Sequence, residues 1–404
     1  MTTSNDPFVS LIAPDPSAGA EPSLADLLAF SRDALTPALL DDGGAAAAEH
    51  LLRNIPAWMA PFWGLETRLA SPEARMDALW EIRRGTPGND LLAGRADTST
   101  FASPCPPIEW LIDQAPVWQA LRRFAQTWHA EAAAPHGLIR NIWMEADTAR
   151  WTAAADLDAN LAAPCLFWGS NRDSPDAGGP PSDRELLPHL PELADATFGV
   201  QIDRAALDRV ARALPPEAIV FQHAAMAGRE VPVARLCVRA MDAAGLESWL
   251  RAIGWPGCVD TAVALFEWLA PQLDSIALNI DIAKGGVGPK LGFELYQSFE
   301  PMDPSVWDPV FAWLQARGLA RADKLAALRG FPSHLRFAKG HPWRDDNGLR
   351  YATLTRNIHH LKITMVDDRI EEAKGYVALF RPGVNHGELI EGPGESGGDP
   401  WLFV

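Results

Sequence analysis

The stretch from Ser275 to Phe299, SIALNIDIAKGGVGPKLGFELYQSF, constrains this chain more than any other. In its first run Leu278, Ile280 and Ile282 alternate with Asn279 and Asp281. In its second, Leu291, Phe293 and Leu295 alternate with Lys290, Gly292 and Glu294. A period of two with one apolar face predicts two half-buried strands rather than a helix. The AKGGVG between them supplies glycines that take positive φ without steric cost, as a tight hairpin requires.

The second arm has two relatives. KLGFEL (290–295) aligns with RLCVRA (235–240) and KGYVAL (374–379), which matches Lys290 to Arg235 and Lys374. In each, one face is apolar and the other opens with a cation: Arg235, Cys237, Arg239; Lys290, Gly292, Glu294; Lys374, Tyr376, Ala378. The run LKITM (361–365) alternates in the same way, with Lys362 and Thr364 on its polar side. The chain therefore carries a degenerate hairpin repeat.

A chain of 404 residues can bury a large core. Its net charge of -17 argues against general binding to nucleic-acid phosphates, while leaving room for a local cationic cavity. Cys105, Cys165, Cys237 and Cys258 are widely spaced and form no paired CxxC, so neither a disulfide framework nor a zinc site is expected. The start lacks a basic region followed by an apolar run, and no stretch is long and apolar enough to span a membrane. A cytoplasmic, soluble protein is expected. Sixteen tryptophans against three tyrosines leave scope for an aromatic-lined pocket.

Four regions follow from patterning. Residues 1–20, rich in Pro, Ser and Asp, read as a flexible N-terminus. Residues 21–133 read as a mainly helical region packing on the core. It includes a helix over 23–40 with Ser23 placed to cap it, docking residues Phe62, Trp63, Leu65 and Leu69, and a short helix over 72–84. Residues 134–381 hold the repeated hairpins and helices, starting with a strand at 139–147 that puts Trp143 and Glu145 on one face. Residues 382–404 read as coil.

The fold class expected is α+β, repeated β-hairpins with intervening helices. Sequential hairpins sit side by side, and their common apolar face needs the helices as cover. An open sheet would leave the polar face wet. A closed antiparallel barrel ringed by helices would turn that face into a lumen and leave no raw edges, and it is the preferred architecture.

This pattern over residues 139–381 resembles the barrel-type aromatic prenyltransferases built from repeated α-β-β-α units. The resemblance is one of architecture and residue type. It implies a ten-stranded antiparallel barrel with the reaction in its lumen, where Lys, Arg and Tyr side chains hold a diphosphate and an early-strand carboxylate meets the aromatic acceptor. Matched to those roles are Arg235, Lys290, Lys362, Lys374 and Tyr376 for the diphosphate, and Glu145 for the acceptor. The family's lumen is rich in tyrosine. This chain has only Tyr296, Tyr351 and Tyr376, and Trp143 and Trp168 stand as substitutes. No cofactor is implied as required, although magnesium can accompany a diphosphate.

Other signals point nowhere else. AKGGVGPK lacks the GxxxxGK[ST] order and joins two strands, so it is no phosphate loop of the nucleotide-hydrolase kind. His359 and His360, adjacent on a strand, should face opposite ways, and no metal site is expected. Asn279 stands two residues before Asp281, so no aspartate-rich magnesium motif is present. No nucleophile elbow is found. The function expected is transfer of a prenyl group from an allylic diphosphate to an aromatic or peptide acceptor. The alternative is a non-catalytic peptide- or small-ligand-binding protein of a bacterial biosynthetic pathway, with the cations paired to Glu294, Asp281 and Glu145. Convergence of Arg235, Lys290 and Lys374 beside an aromatic pocket favours the first, and neutralisation of each cation favours the second.

Overall fold

The computed structural model of the chain describes residues 9–12, 22–53, 55–60, 62–95, 112, 116–130, 138–147, 164–170, 183–227, 232–297, 303–337, 353–380, 384–385 and 388–389. In chain order the long strands are β1 (Val9–Ile12), β2 (Phe62–Arg68), β3 (Asp77–Arg83), β4 (Ile139–Ala146), β5 (Cys165–Ser170) and β6 (Ile219–Ala225). They continue with β7 (Ala234–Arg239), β8 (Ser275–Ala283), β9 (Gly286–Tyr296), β10 (Ser333–Phe337), β11 (Thr353–Val366) and β12 (Arg369–Phe380).

Ten of these strands, β2 to β9 with β11 and β12, close into an antiparallel barrel. Each pairs with the next, β11 pairs with β9 through Leu361–Val366, and β12 pairs with β2, setting Lys374 opposite Arg68 and Phe380 opposite Phe62. Outside the ring, β10 lies on the N-terminal half of β11, and β1 runs parallel on its far side. Bulges break the regular pairing in β4, β6, β9 and β11, and such irregularities bend strands and help a sheet curl shut. The focal hairpin turns where expected, with Gly286 at φ +111°.

The helices are α1 (Leu24–Ala29), α2 (Arg32–Leu39), α3 (Asp42–Leu52), α4 (Pro87–Leu92), α5 (Pro116–His129) and α6 (Leu190–Phe198). After them come α7 (Arg204–Ala213), α8 (Ala243–Ile253), α9 (Val259–Leu269), α10 (Asp308–Ala316) and α11 (Ala322–Arg329). They cover the outside of the barrel, and the main hydrophobic core fills the space between them and the outward strand faces. On α5, Trp118, Leu121, Phe124 and Trp128 form the buried stripe that their spacing predicts. Trp118 stacks on Trp80 of β3, and Phe124 meets Trp168 of β5 edge-on.

Several expectations need correction. Residues 72–84 are not a helix: Asp77–Arg83 is a barrel strand, with Ala78, Trp80 and Ile82 in the outer core and Leu79 lining the lumen. An apolar residue on each face blurred the period of two. Phe62, Trp63 and Leu65 likewise belong to β2, so two barrel strands precede the 134–381 span. The 23–40 segment does begin with Ser23 in a capping box, but it breaks into two helices, and Thr36 has φ 33°. After β3, Thr86 precedes a short helix with Pro87 at its start. Val9–Ile12 is a strand within the segment read as flexible, and Val384–Asn385 pairs with Glu388–Leu389 in the segment read as coil. The remainder of 1–20 and of 382–404, and Tyr351, lie outside the described residues. Among the described residues no helix is long and apolar enough to cross a membrane.

Candidate functional site

The inward strand faces build two adjoining chambers. One, of about 430 Å³, sits towards one end of the barrel and is lined by Arg235, Lys290, Lys362, Lys374, Tyr376 and Glu145 together with several carboxylates. A smaller one, of about 70 Å³, is lined by Trp143, Phe167, Tyr296, His359 and His360, and shares Glu145, Lys362 and Tyr376 with the first. Every residue matched to a site role thus lies on one chamber or both. Arg235 comes from β7, Lys290 from β9, Lys362 from β11, and Lys374 and Tyr376 from β12. Equivalent places on antiparallel arms bring them to the same end. Trp168 does not join them. It faces the helices, wholly buried against Phe124, because Phe167 takes the inward position on β5.

Three of the four cations carry a carboxylate. Arg235 donates to Asp281 through Nε at 2.7 Å and through a terminal nitrogen at 3.0 Å, a bidentate pair that fixes the guanidinium plane. Lys362 Nζ lies 2.9 Å from Glu294 Oε1 and also donates to Asn279. Gly292 makes that reach possible, since a Cβ there would sit 3.1 Å from Lys362 Cε. Lys374 pairs with Glu66 at 2.5 Å and lies 3.6 Å from Glu372. Of the carboxylates expected to pair with the cations, Asp281 and Glu294 do so, while Lys374 takes Glu66 and Glu372. Lys290 has no ion-pair partner among the described residues.

The electrostatics follow from that layout. Burial, then the neighbouring Arg235, Lys374 and Lys362, bring the Lys290 ammonium down to about 8 against the pull of Asp281. Burial would raise Glu294, but Lys362, His360 and the Tyr296 hydroxyl at 2.8 Å hold it down at about 2. Burial would lower Lys374, yet Glu66, Glu372 and Glu145 outweigh it and raise the lysine. Burial and the nearby Glu66 and Glu145 push the Tyr376 phenol up, so it stays protonated.

Aromatic rings line the inner chamber and the lumen beyond it. Phe62 meets Trp143 edge-on at 5.2 Å and stacks on Phe380 at 5.4 Å, while His360 stacks on Tyr376 at 3.9 Å. The expectation that His359 and His360 face opposite ways fails, because a β-bulge between Ile358 and His360 turns both into the lumen. Among the described residues no group of three or more His, Cys, Asp or Glu is placed to hold a metal.

No family model matches the chain, and no curated protein matches it. Among solved structures it is similar to 5-dimethylallyl tryptophan synthase from Streptomyces coelicolor in complex with DMASPP and Trp. That match has a TM-score of 0.51 and 16% identity, over 92% of this chain and 99% of that one. It is also similar to the prenyltransferase PriB in a ternary complex with L-tryptophan and dimethylallyl thiolodiphosphate, at TM-score 0.50 and 14% identity, over 88% and 95%. The likeness is one of fold.

Two features of the site escape sequence reasoning. Glu66, the partner of Lys374, lies in FWGLETR, where Phe62, Gly64 and Glu66 alternate with Trp63, Leu65 and Thr67. The signal was a period of two hidden in a stretch assigned to helical cover. The paired inward histidines had no signal, since a bulge leaves none in a single sequence.

Proposed function

We propose that the chain transfers a prenyl group from an allylic diphosphate to an aromatic or peptide acceptor inside the barrel. The observation that carries this reading is the convergence of Arg235, Lys290, Lys362 and Lys374, from four strands, on one chamber that shares three lining residues with an aromatic one. When the allylic C–O bond breaks, its electron pair leaves with the diphosphate, and fixed cations stabilise the charge that develops there. Lys290 is the principal candidate because, among the described residues, no carboxylate forms an ion pair with it. The rings of Trp143 and Phe62 can support the allylic cation through their quadrupoles, and the barrel wall around them limits capture by water. Glu145, on both chambers, suits the task of orienting an acceptor. Solved structures of this fold include proteins bound to tryptophan and to dimethylallyl thiolodiphosphate, which supports the choice of substrate class. Magnesium, where it takes part, would enter with the diphosphate.

Titration calorimetry with dimethylallyl, geranyl and farnesyl diphosphates, with and without magnesium, tests the reading. The wild type should bind at least one of them. Lys290→Ala and Arg235→Ala should both lose binding, the second because Asp281 is left as an unpaired anion in the chamber. Absence of binding to all three would overturn the transferase. The neutralised state of Arg235, Lys362 and Lys374 favours the second reading, a non-catalytic binder of peptides or small ligands. Tight binding of an aromatic ligand without diphosphate, and without product, would establish it.

A further inference from the structure

The His359–His360 pair has no task in the chemistry above, yet its geometry is specific. The β11–β12 register runs to Ile358 opposite Val377 and resumes at His360 opposite Tyr376, so His359 is the extra residue and both imidazoles enter the lumen. Their Nδ1 atoms lie 2.6 Å apart. Two imidazoles hold that separation by sharing one proton, with one Nδ1 donating and the other accepting. Nε2 of His360 is buried and makes no hydrogen bond among the described residues, and its ring lines the aromatic chamber, stacked on Tyr376. The charged groups facing it are Glu294, Lys362 and Glu66.

We propose that His360, with His359 behind it, is the base that receives the proton an aromatic acceptor loses when its ring is alkylated. The proposal rests on the transferase reading. In the tautomer where His360 Nδ1 donates to His359, His360 Nε2 carries a lone pair. The allylic C–O bond breaks with its electron pair on the diphosphate, and a ring π pair forms the new carbon–carbon bond. The C–H pair then returns to the ring, and its proton passes to His360 Nε2. The Nδ1 proton can shift to His359, which spreads the new charge over two rings beside the Glu294 carboxylate. The ionised Glu294 favours the charged form of both rings, whereas burial keeps both neutral beforehand, His359 at about 4 and His360 well below its ordinary value. Weak basicity is no obstacle, because an alkylated ring before proton loss is a strong acid. It also makes the imidazole a poor trap for the allylic cation.

Two measurements on the full chain test this, with L-tryptophan and dimethylallyl thiolodiphosphate as probes. In protein labelled with nitrogen-15 at histidine, His360 Nε2 should resonate as a bare nitrogen and shift when tryptophan is added. A protonated Nε2, or one indifferent to tryptophan, overturns the proposal whatever the turnover. His360→Phe preserves the stack on Tyr376. It should bind the thiolodiphosphate as the wild type does, turn over dimethylallyl diphosphate at least about 10²-fold more slowly, and reveal an isotope effect with ring-deuterated tryptophan that the wild type lacks. Wild-type turnover in that variant, or slow turnover with no isotope effect, overturns the proposal. A wild type that binds no diphosphate defeats the transferase reading instead, and the nitrogen spectrum still decides whether His360 meets an aromatic ligand.

Discussion

Lys290 is held charged against its surroundings, and the cost has a sign. Its folded pKa of about 8 lies below the ordinary 10.5, mainly through burial. Between those values the unfolded chain keeps a proton that the folded chain has released, so stability rises with pH across that window, and below it the half-buried ammonium is a standing penalty. We expect Lys290→Met to raise the melting temperature at pH 7 while abolishing diphosphate binding, as seen by differential scanning fluorimetry beside calorimetry. Glu294 runs the other way. Its carboxylate, held near 2, contributes stability that is present above about 4.5 and lost as pH falls towards 2. Glu294→Gln leaves Lys362 charged, buried and unpaired, and should cost about 3–5 kcal/mol. Urea unfolding should show that loss at pH 7, with a shallower decline in acid than the wild type.

At the scale of elements, α11 is tied to the barrel by a buried lysine. Lys324 Nζ bonds Thr67 Oγ1 at 3.3 Å and the carbonyls of Arg68 and Glu73 at 2.7 and 2.8 Å, which pins the helix to the end of β2 and the link towards β3. Lys324→Met removes all three bonds, and we expect a loss of about 1–3 kcal/mol in denaturant unfolding. Burial also lowers this ammonium to about 8, so the same variant should flatten part of the stability rise above that pH. The elements differ in how openly the sequence declares them. β8, β9 and β12 alternate cleanly because one face meets helices and the other a polar lumen, and their cations lead straight to the larger chamber. β2 and β3 do not, since Phe62 and Leu79 are apolar on the lumen side as well. Trp168 and Phe167 show the same limit at one dipeptide: two adjacent aromatics leave the inward one unmarked. Bulges are harder still, because the extra residue in β11 is set by how two strands meet after the barrel has closed.

For the whole molecule, closure sorts the tryptophans. Trp63, Trp80, Trp118, Trp128, Trp168 and Trp249 are wholly or almost wholly buried in the outer core, while Trp143 lines the lumen. A bound ligand should therefore perturb only a small part of the emission, and Trp143→Phe should abolish that change without altering the melting curve greatly. The ring is sealed where β12 meets β2, the last barrel strand in the chain against the first. On a ribosome about 320 residues separate the appearance of Phe62 from that of Phe380, roughly 15–60 s of synthesis. Throughout that interval β2 waits with an unpaired edge, in the company of growing strands and no finished lumen. Birth of the cavity is thus a single late event, and a chain interrupted anywhere before residue 369 lacks the strand that joins β11 to β2 and has no closed chamber.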